Sequence, residues 1–157
     1  KLNLEAIPRR YMLEAGKQLD DIWTPTNSLY DLWVIGPNGF HRGFSGDLNK
    51  TVQIEALPEI RVCVEECSAK LYLKVRNDAT KTAKLIVKAN AYLPNKIWSI
   101  ETATVEKELS WDMADFGGWY DFTVTMENDP SYKRRFAGRI ETGKDSFSDP
   151  YMGFIES

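Results

Sequence analysis

Apolar and polar residues alternate along much of this chain in short runs that end at turn residues. The clearest run covers 69–76, where every second residue is apolar, and it ends at Asn77. Further runs with the same period lie at 60–64, 83–90, 97–101 and 104–109. A period of two is typical of strands that are buried on one side. The pattern therefore predicts an all-β fold of antiparallel strands.

Helix signals are weak by comparison. The best candidates, 17–23 and 110–116, are one or two turns long and carry Asp and Trp without an amphipathic stripe. We expect them to be short loop helices. Many short strands separated by turns favour an immunoglobulin-like antiparallel β-sandwich, although the strand order does not follow from the pattern.

The sequence also contains an internal repeat. The segment Tyr-Asp-Leu-Trp-Val at 30–34 recurs as Tyr-Asp-Phe-Thr-Val at 120–124. After each turn a second match follows, and it aligns Phe40, Arg42, Phe44 and Gly46 with Tyr132, Arg134, Phe136 and Gly138. Upstream, Pro8 and Trp23 align roughly with Pro94 and Trp111. Each copy is predicted to form a two-stranded hairpin.

The turns of these hairpins differ in length. The first turn contains Asn-Gly, which readily adopts the positive φ angles of a tight hairpin, and the second turn is two residues longer. The residues that we expect to define the hairpins are Tyr30, Asp31, Gly36, Pro37, Asn38, Gly39 and Phe40 in the first copy, with Tyr120 and Asp121 in the second.

The repeat divides the chain into three predicted parts. Residues 1–50 are the C-terminal part of a first β repeat that ends in the Gly-Pro-Asn-Gly hairpin, 55–140 are a complete second repeat, and 141–157 are a tail. Residues 2–7 match the strand that ends near Tyr92, so the first repeat is expected to lack its opening strands. Such a sheet exposes edges and apolar surface. We expect dimer contacts or a borrowed strand to cover it.

The two copies differ on the side of the hairpin opposite the first tyrosine. The first copy carries Trp33 and Ile35 there, and the second copy carries Thr123 and Thr125. An apolar outer side is expected to be covered, either by the sister repeat or by another part of the parent protein. A local shift in register is the alternative.

Three polar residues of the hairpins are candidates for contacts. His41 is expected on the opposite side from Arg42, in a surface or partner-contact role. Arg42 and Arg134 each lie between two aromatic residues of one strand side, which predicts stacking on the rings and pairing with a carboxylate. Contact with phosphate headgroups or acidic loops is the alternative. The hairpin tyrosines are expected to bond their hydroxyls to nearby backbone.

Candidate chemistry is sparse. The chain has one His and two Cys, and the spacing of Cys63 and Cys67 does not match a zinc motif. Strand parity places Cys67 inside and Cys63 outside, which argues against a disulfide between them. We therefore predict no catalytic residues, no metal and no cofactor.

Composition bears on partners more than on chemistry. The 20 basic and 23 acidic residues are interspersed, with a formal net charge of −3, so no nucleic-acid partner is predicted. No apolar run approaches the roughly 18 residues of a membrane span. Five Trp and seven Tyr could form a binding platform, but sandwich cores use the same residues.

The repeat motif carries a family resemblance. The run 30–46 resembles the hairpin motif of the C-terminal domain of bacterial phosphocholine-type phospholipases C, hemolytic and non-hemolytic. The end of the chain is also similar, in the segments 118–121, 134–138, 141–143 and 148–150. In that family, tandem small β domains follow a catalytic α/β domain that releases phosphocholine from phosphatidylcholine or sphingomyelin outside the cytoplasm.

The resemblance implies a non-catalytic accessory domain of a secreted or periplasmic phospholipase C. The expected partner is the catalytic domain of the same parent chain, with a phospholipid surface as a second candidate. The candidate contact residues are Trp33, Ile35, His41, Arg42 and Arg134. Such a domain would stabilise the catalytic domain or position the lipid. The alternative is a freestanding β-sandwich module that binds lipid headgroups or surface glycans.

Overall fold

A computed structural model describes residues 8–25, 27–53, 58–77, 82–93, 96–102, 104–149 and 151. Within these ranges the strands are β1 (Leu29–Ile35), β2 (His41–Asp47), β3 (Glu59–Glu65), β4 (Lys70–Arg76), β5 (Lys84–Ala91), β6 (Ile97–Glu101), β7 (Lys107–Asp112), β8 (Trp119–Met126) and β9 (Asp129–Arg139). One short helix, α1, covers Leu48–Gln53, and single 3₁₀ turns cover Glu66–Ser68 and Ala114–Phe116. The predicted all-β class is confirmed.

Two antiparallel sheets form a sandwich-like arrangement. The larger sheet has the order β1-β2-β9-β8-β5-β6, and the smaller has the order β3-β4-β7. Alternate apolar residues of β4, β5 and β8 fill the space between them, as the period of two predicts. Trp111 of the smaller sheet stacks on Phe122 of the larger, with ring centroids 4.5 Å apart. The immunoglobulin-like assignment stays a prediction.

Three local features differ from the sequence-based expectations: the two expected helices and the helix α1. The strand predicted at 104–109 is β7, which continues to Asp112, so the helix predicted at 110–116 shrinks to one 3₁₀ turn. The strand continues because Trp111 packs on the core, and the Asp112 carboxylate then accepts the Ala114 N–H to start the turn. Residues 17–23 form no helix, and α1 was not predicted. The strand expected at 2–7 lies outside the described residues.

The first hairpin extends the sheet of the second. Strand β2 pairs antiparallel with β9, with Arg42 opposite Phe136 and Phe44 opposite Arg134. At the centre of this pairing, Gly43 lies opposite Arg135, its counterpart in the repeat. Equivalent residues therefore lie around a local two-fold axis between the copies. The predicted division into 1–50, 55–140 and 141–157 stays a prediction.

The first hairpin turn has the predicted geometry. Asn38 and Gly39 have φ angles of 54° and 67°, and the Phe40 N–H donates to the Pro37 carbonyl at 3.0 Å. Positive φ at both central residues is the type I′ pattern, which suits the twist of a hairpin. In the second copy a register shift after Thr125 absorbs the two extra residues.

Candidate functional site

The two hairpin copies exchange arginines across the β2–β9 pairing. Arg42 of the first copy lies 4.2 Å from the Phe40 ring centroid and 5.5 Å from that of Phe136 in the second copy. Its Nη2 donates to the Tyr120 hydroxyl at 3.1 Å, and its Nη1 donates to the Ala137 carbonyl at 2.8 Å. The guanidinium of the first copy is therefore held by the second.

Arg134 makes the same contacts in the reverse direction. It lies 4.2 Å from the Tyr132 ring centroid and 5.7 Å from that of Phe44 in the first copy. Its Nη2 donates to the Tyr30 hydroxyl at 2.9 Å, and its Nη1 donates to the Ser45 carbonyl at 2.7 Å. The two arginines therefore bind equivalent partners on opposite copies, as the local two-fold axis requires.

This exchange confirms part of the expectation and corrects the rest. The predicted stacking on aromatic rings is present, but carbonyl and tyrosine oxygens take the place of the predicted carboxylate among the described residues. The hydroxyls of Tyr30 and Tyr120 accept from arginine, where bonds to nearby backbone were expected. Because both guanidinium groups point into the protein, a structural role accounts for them better than headgroup binding does.

The outer side of the larger sheet is the side that faces away from β3, β4 and β7. It is polar over the second copy. Buried Asp121 accepts from Arg135 Nε at 3.0 Å and Nη2 at 2.6 Å, in a fork geometry that suits a carboxylate. The Asn90 amide also donates to Asp121, at 2.8 Å. In the first copy, Asp31 accepts from the Ser45 hydroxyl at 2.9 Å. Both aspartates of the repeat thus fix strand neighbours.

The same side is apolar over the first copy. Trp33 is 68% exposed and Ile35 is 74% exposed, and the described part of the second copy does not cover them. The Trp33 ring lies beside the His41 ring, with centroids 5.8 Å apart. We call Trp33, Ile35 and His41 the outer patch.

His41 has an unusual environment within the outer patch. Its side chain is partly buried, and its Nε2 atom has no hydrogen-bond partner among the described residues. Burial lowers the His41 pKa, and the positive charges of Arg135 and Arg42 lower it further against the attraction of Asp121. The lowered pKa favours the neutral imidazole, and the buried Nε2 is closed to a partner that docks on the sheet surface.

The cysteines and the metal-binding residue types form no evident site. Cys63 and Cys67 are both free thiols. Cys67 is exposed, contrary to the parity prediction, because the 3₁₀ turn at Glu66–Ser68 interrupts the strand. In the described ranges, no group of three or more His, Cys, Asp or Glu residues could hold a metal ion. No helix there is long and apolar enough to cross a membrane.

Sequence reasoning missed the docking of the tail on the second copy. The Trp119 indole donates to the Phe147 carbonyl at 3.1 Å, and the Ser146 hydroxyl donates to the Gly117 carbonyl at 3.1 Å. Tyr92 donates to the Asp149 carboxylate, and burial together with this bond raises the Tyr92 pKa. The only sequence signal was the family motif at 148–150, which does not show which residues it contacts.

Comparison with known proteins identifies the class of domain. A sequence model of the bacterial phospholipase C C-terminal domain matches residues 1–47 and 58–139. The chain belongs to this family, which confirms the predicted resemblance. An antiparallel sandwich with an arginine-linked hairpin pair is thus the form that this family takes here.

Three relatives specify the similarity further. The non-hemolytic phospholipase C of Pseudomonas aeruginosa is 35% identical over 97% of this chain and 22% of its own length. The non-hemolytic phospholipase C of Burkholderia pseudomallei is 34% identical over 92% of this chain and 21% of its own length. The hemolytic phospholipase C of Pseudomonas aeruginosa is 37% identical over 86% of this chain and 18% of its own length. The chain spans about a fifth of the curated relatives it matches.

Proposed function

We propose that this chain is a non-catalytic accessory domain that packs on the catalytic domain of a parent phospholipase C through the outer patch. The observation that carries the proposal is the exposure of Trp33 and Ile35 where the second copy has Thr123 and Thr125. Neighbouring large apolar side chains on a sheet surface are typical of an interaction site.

The role that follows is stabilisation of the catalytic domain or positioning of its lipid. Covering Trp33 and Ile35 would contribute roughly 1.5–3 kcal/mol for each side chain that becomes fully buried. Because the relatives are named phospholipases C, we infer that the parent hydrolyses phosphatidylcholine or sphingomyelin to phosphocholine. We also infer that it acts outside the cytoplasm, after secretion or in the periplasm.

The test gives the first copy the residues of the second. In the parent enzyme, Trp33→Thr together with Ile35→Thr should speed thermal inactivation and reduce hydrolysis of phosphatidylcholine vesicles. The same pair in the isolated chain should leave Tm nearly unchanged, since both side chains are exposed. Ile97→Thr is the matched control, because Ile97 is an exposed apolar residue on the far edge strand. Unchanged stability and activity of the parent would refute the proposal.

A second candidate is a freestanding module for lipid headgroups or surface glycans. The exposed Trp33 ring favours it, because aromatic rings serve both kinds of ligand. Arg42 and Arg134 already bond protein oxygens, which weighs against binding of lipid headgroups by these arginines. Co-sedimentation of the isolated chain with phosphatidylcholine vesicles, and its loss in Trp33→Thr, would favour this candidate over docking on the catalytic domain.

A further inference from the structure

The turn of the first hairpin lies beyond the strand pairing that joins the two copies. The β2–β9 ladder ends at the pair His41 and Ala137, whereas β9 itself continues to Arg139. The turn at 36–40 therefore has no partner strand in the second copy. What fixes the turn against the second copy has to come from contacts outside this ladder.

Two such contacts hold the turn. The Asn38 amide donates to Glu141 Oε1 at 2.8 Å, and Glu141 follows two residues after the end of β9. The Trp119 ring lies against Gly39, so closely that a Cβ on Gly39 would come within 2.7 Å of Trp119 Cζ3. The turn is thus bonded to the beginning of the tail and packed on the first residue of β8.

The tail continues from this turn to the core of the second copy. The Trp119 indole donates to the Phe147 carbonyl at 3.1 Å. Further along, the Asp149 carboxylate accepts from the hydroxyl of Tyr92, which is buried. We call residues 141–149 the strap, because they connect the first turn to anchors in the second copy.

The other turn has an equivalent contact. Lys50 lies in α1, directly after the first hairpin, and its Nζ is 3.6 Å from Oδ1 of Asp129, which follows the turn of the second hairpin. The repeat aligns Lys50 with Thr142, the neighbour of Glu141. Each hairpin is therefore followed by a segment that contacts the turn region of the other copy. The strap follows the same local two-fold relation as the arginine exchange.

The outer patch lies at the end of the hairpin that the strap holds. Ile35 and His41 form the last β1–β2 pair before the turn, and Trp33 is two residues further along β1. A surface that is already ordered docks with less loss of free energy than one that must be ordered on binding. Contacts that fix the turn therefore also favour docking through the outer patch.

We propose that the strap is a positioning device that sets the orientation of the outer patch toward the domain on which it docks. This inference rests on the proposed function, because docking is what gives the orientation a consequence. The central contact is the hydrogen bond between Asn38 and Glu141, which joins residues 103 positions apart.

The decisive variant is Asn38→Asp in the 157-residue chain. It keeps the size of the side chain, and Asp-Gly also suits a tight hairpin turn, but it sets a carboxylate against Glu141. Hydrogen exchange is read at the Gly36 amide, which donates to the Phe40 carbonyl across the turn at 2.9 Å. We expect exchange there to speed up by roughly three- to tenfold, because the end of the hairpin opens locally. The Val87 amide in the core should keep its rate.

Glu141→Gln supplies the matched controls. Alone, it retains an acceptor for the Asn38 amide and should change the exchange of Gly36 little. Combined with Asn38→Asp, it introduces an amide that donates to the new carboxylate, and the slow exchange should return. An unchanged rate in Asn38→Asp would overturn the proposal. So would a faster rate that Glu141→Gln does not reverse, because the effect would then belong to the turn alone.

The parent enzyme separates the strap from the docking itself. There, Asn38→Asp should speed thermal inactivation by at least about twofold, and Glu141→Gln should reverse the effect. Unchanged inactivation, together with faster inactivation by the Trp33→Thr and Ile35→Thr pair, would overturn the positioning role and leave docking in place. If that pair has no effect in the parent, the proposed docking fails, whereas the exchange of Gly36 still decides whether the strap holds the hairpin.

Discussion

The hairpins β1–β2 and β8–β9 share a sequence pattern but not an environment. Each has the Tyr-Asp start, the return-strand arginine and the glycine that faces the tyrosine. Phe122 in the second hairpin is 2% exposed under the smaller sheet, and its counterpart Leu32 is half-buried beside an open concavity. Local pattern thus determines the hairpin and its pairing, whereas burial depends on the strands that pack against it.

The outer sides of the two hairpins sharpen this contrast. The second hairpin alternates apolar inner residues with Thr123 and Thr125, as expected of a sheet with one solvated side. The first hairpin is apolar on both sides, since Leu32 and Val34 alternate with Trp33 and Ile35. A strand with that composition is typical of a sheet covered on both sides. The proposed docking of the catalytic domain covers the side of Trp33 and Ile35.

The largest expected difference between the two hairpins is in the unfolding free energy lost when equivalent inner residues are truncated to alanine. Phe122→Ala should cost about 3–5 kcal/mol of unfolding free energy, because it removes a buried ring stacked on Trp111. Leu32→Ala in the 157-residue chain should cost less than about 1.5 kcal/mol, since the side chain is only partly buried. Urea unfolding of both variants measures the difference. Equal losses would mean that the two cores are equally complete.

The arginine exchange should show the opposite behaviour, with equal effects in both copies. Arg42→Met and Arg134→Met should each cost roughly 2 kcal/mol, because each removes charged hydrogen bonds to a partner in the other copy. Double-mutant cycles with the correct tyrosine, Arg42 with Tyr120→Phe and Arg134 with Tyr30→Phe, should give coupling energies of about 1 kcal/mol. The mismatched cycle, Arg42 with Tyr30→Phe, should be additive. Coupling in the mismatched cycle would contradict the exchange.

Much of the fold was predictable because local rules decide it. The strand over 70–76 follows from its alternation, and the first turn follows from the positive φ that Asn38 and Gly39 accept. The helix expected at 17–23 is absent, and the Arg9 guanidinium pairs with Asp21 in this segment. That ion pair joins residues twelve positions apart, and no periodicity records it.

The candidate site was predictable as a set of residues and not as a set of partners. The sequence placed Arg42 and Arg134 between aromatic neighbours, and the structure keeps them there. It could not show that each guanidinium bonds the tyrosine of the other copy, because that depends on β2 pairing with β9. The pairing of distant strands is set by the whole fold and cannot be read from local sequence. A carboxylate was therefore the simpler expectation for the partner of each arginine.

Replacing the glycine that faces each tyrosine by alanine should destabilise the two copies to different extents, with a smaller effect than the truncations above. A Cβ at Gly46 would lie 2.5 Å from the Tyr30 hydroxyl, and one at Gly138 would lie 2.9 Å from that of Tyr120. Overpacking of this kind typically costs about 1–3 kcal/mol. We expect Gly138→Ala to cost more in thermal unfolding, since Tyr120 is buried and cannot move aside, whereas Tyr30 borders the concavity.

The glycine comparison has an internal control. Adding Tyr120→Phe to Gly138→Ala removes the hydroxyl that the new methyl group would meet and should recover part of the lost Tm. The φ of 158° at Gly138 adds a backbone contribution that this rescue leaves in place. A greater loss at Gly46 than at Gly138 would mean that Tyr30 is held as tightly as Tyr120.

The smallest expected effect is the pH dependence contributed by His41 of the outer patch. Burial and the charges of Arg135 and Arg42 lower its folded-state pKa, whereas the unfolded pKa is about 6.5. Between those two values the unfolded state binds more protons, so His41 lowers stability as the pH falls below about 6.5. The difference in unfolding free energy between the natural chain and His41→Gln should therefore shrink or change sign from pH 7 to pH 5.

The same measurement on the parent enzyme sharpens the contrast between the two hairpins. If the catalytic domain covers the outer patch, His41 loses more solvent, its pKa falls further and the pH-dependent difference grows. Lys133, the counterpart of His41 in the second copy, is exposed on the polar side of the sheet. Lys133→Gln should therefore leave the change in unfolding free energy between pH 7 and pH 5 unaltered. If the effect of His41→Gln on stability depends on pH equally in the parent and in the isolated chain, the docking surface lies away from the outer patch.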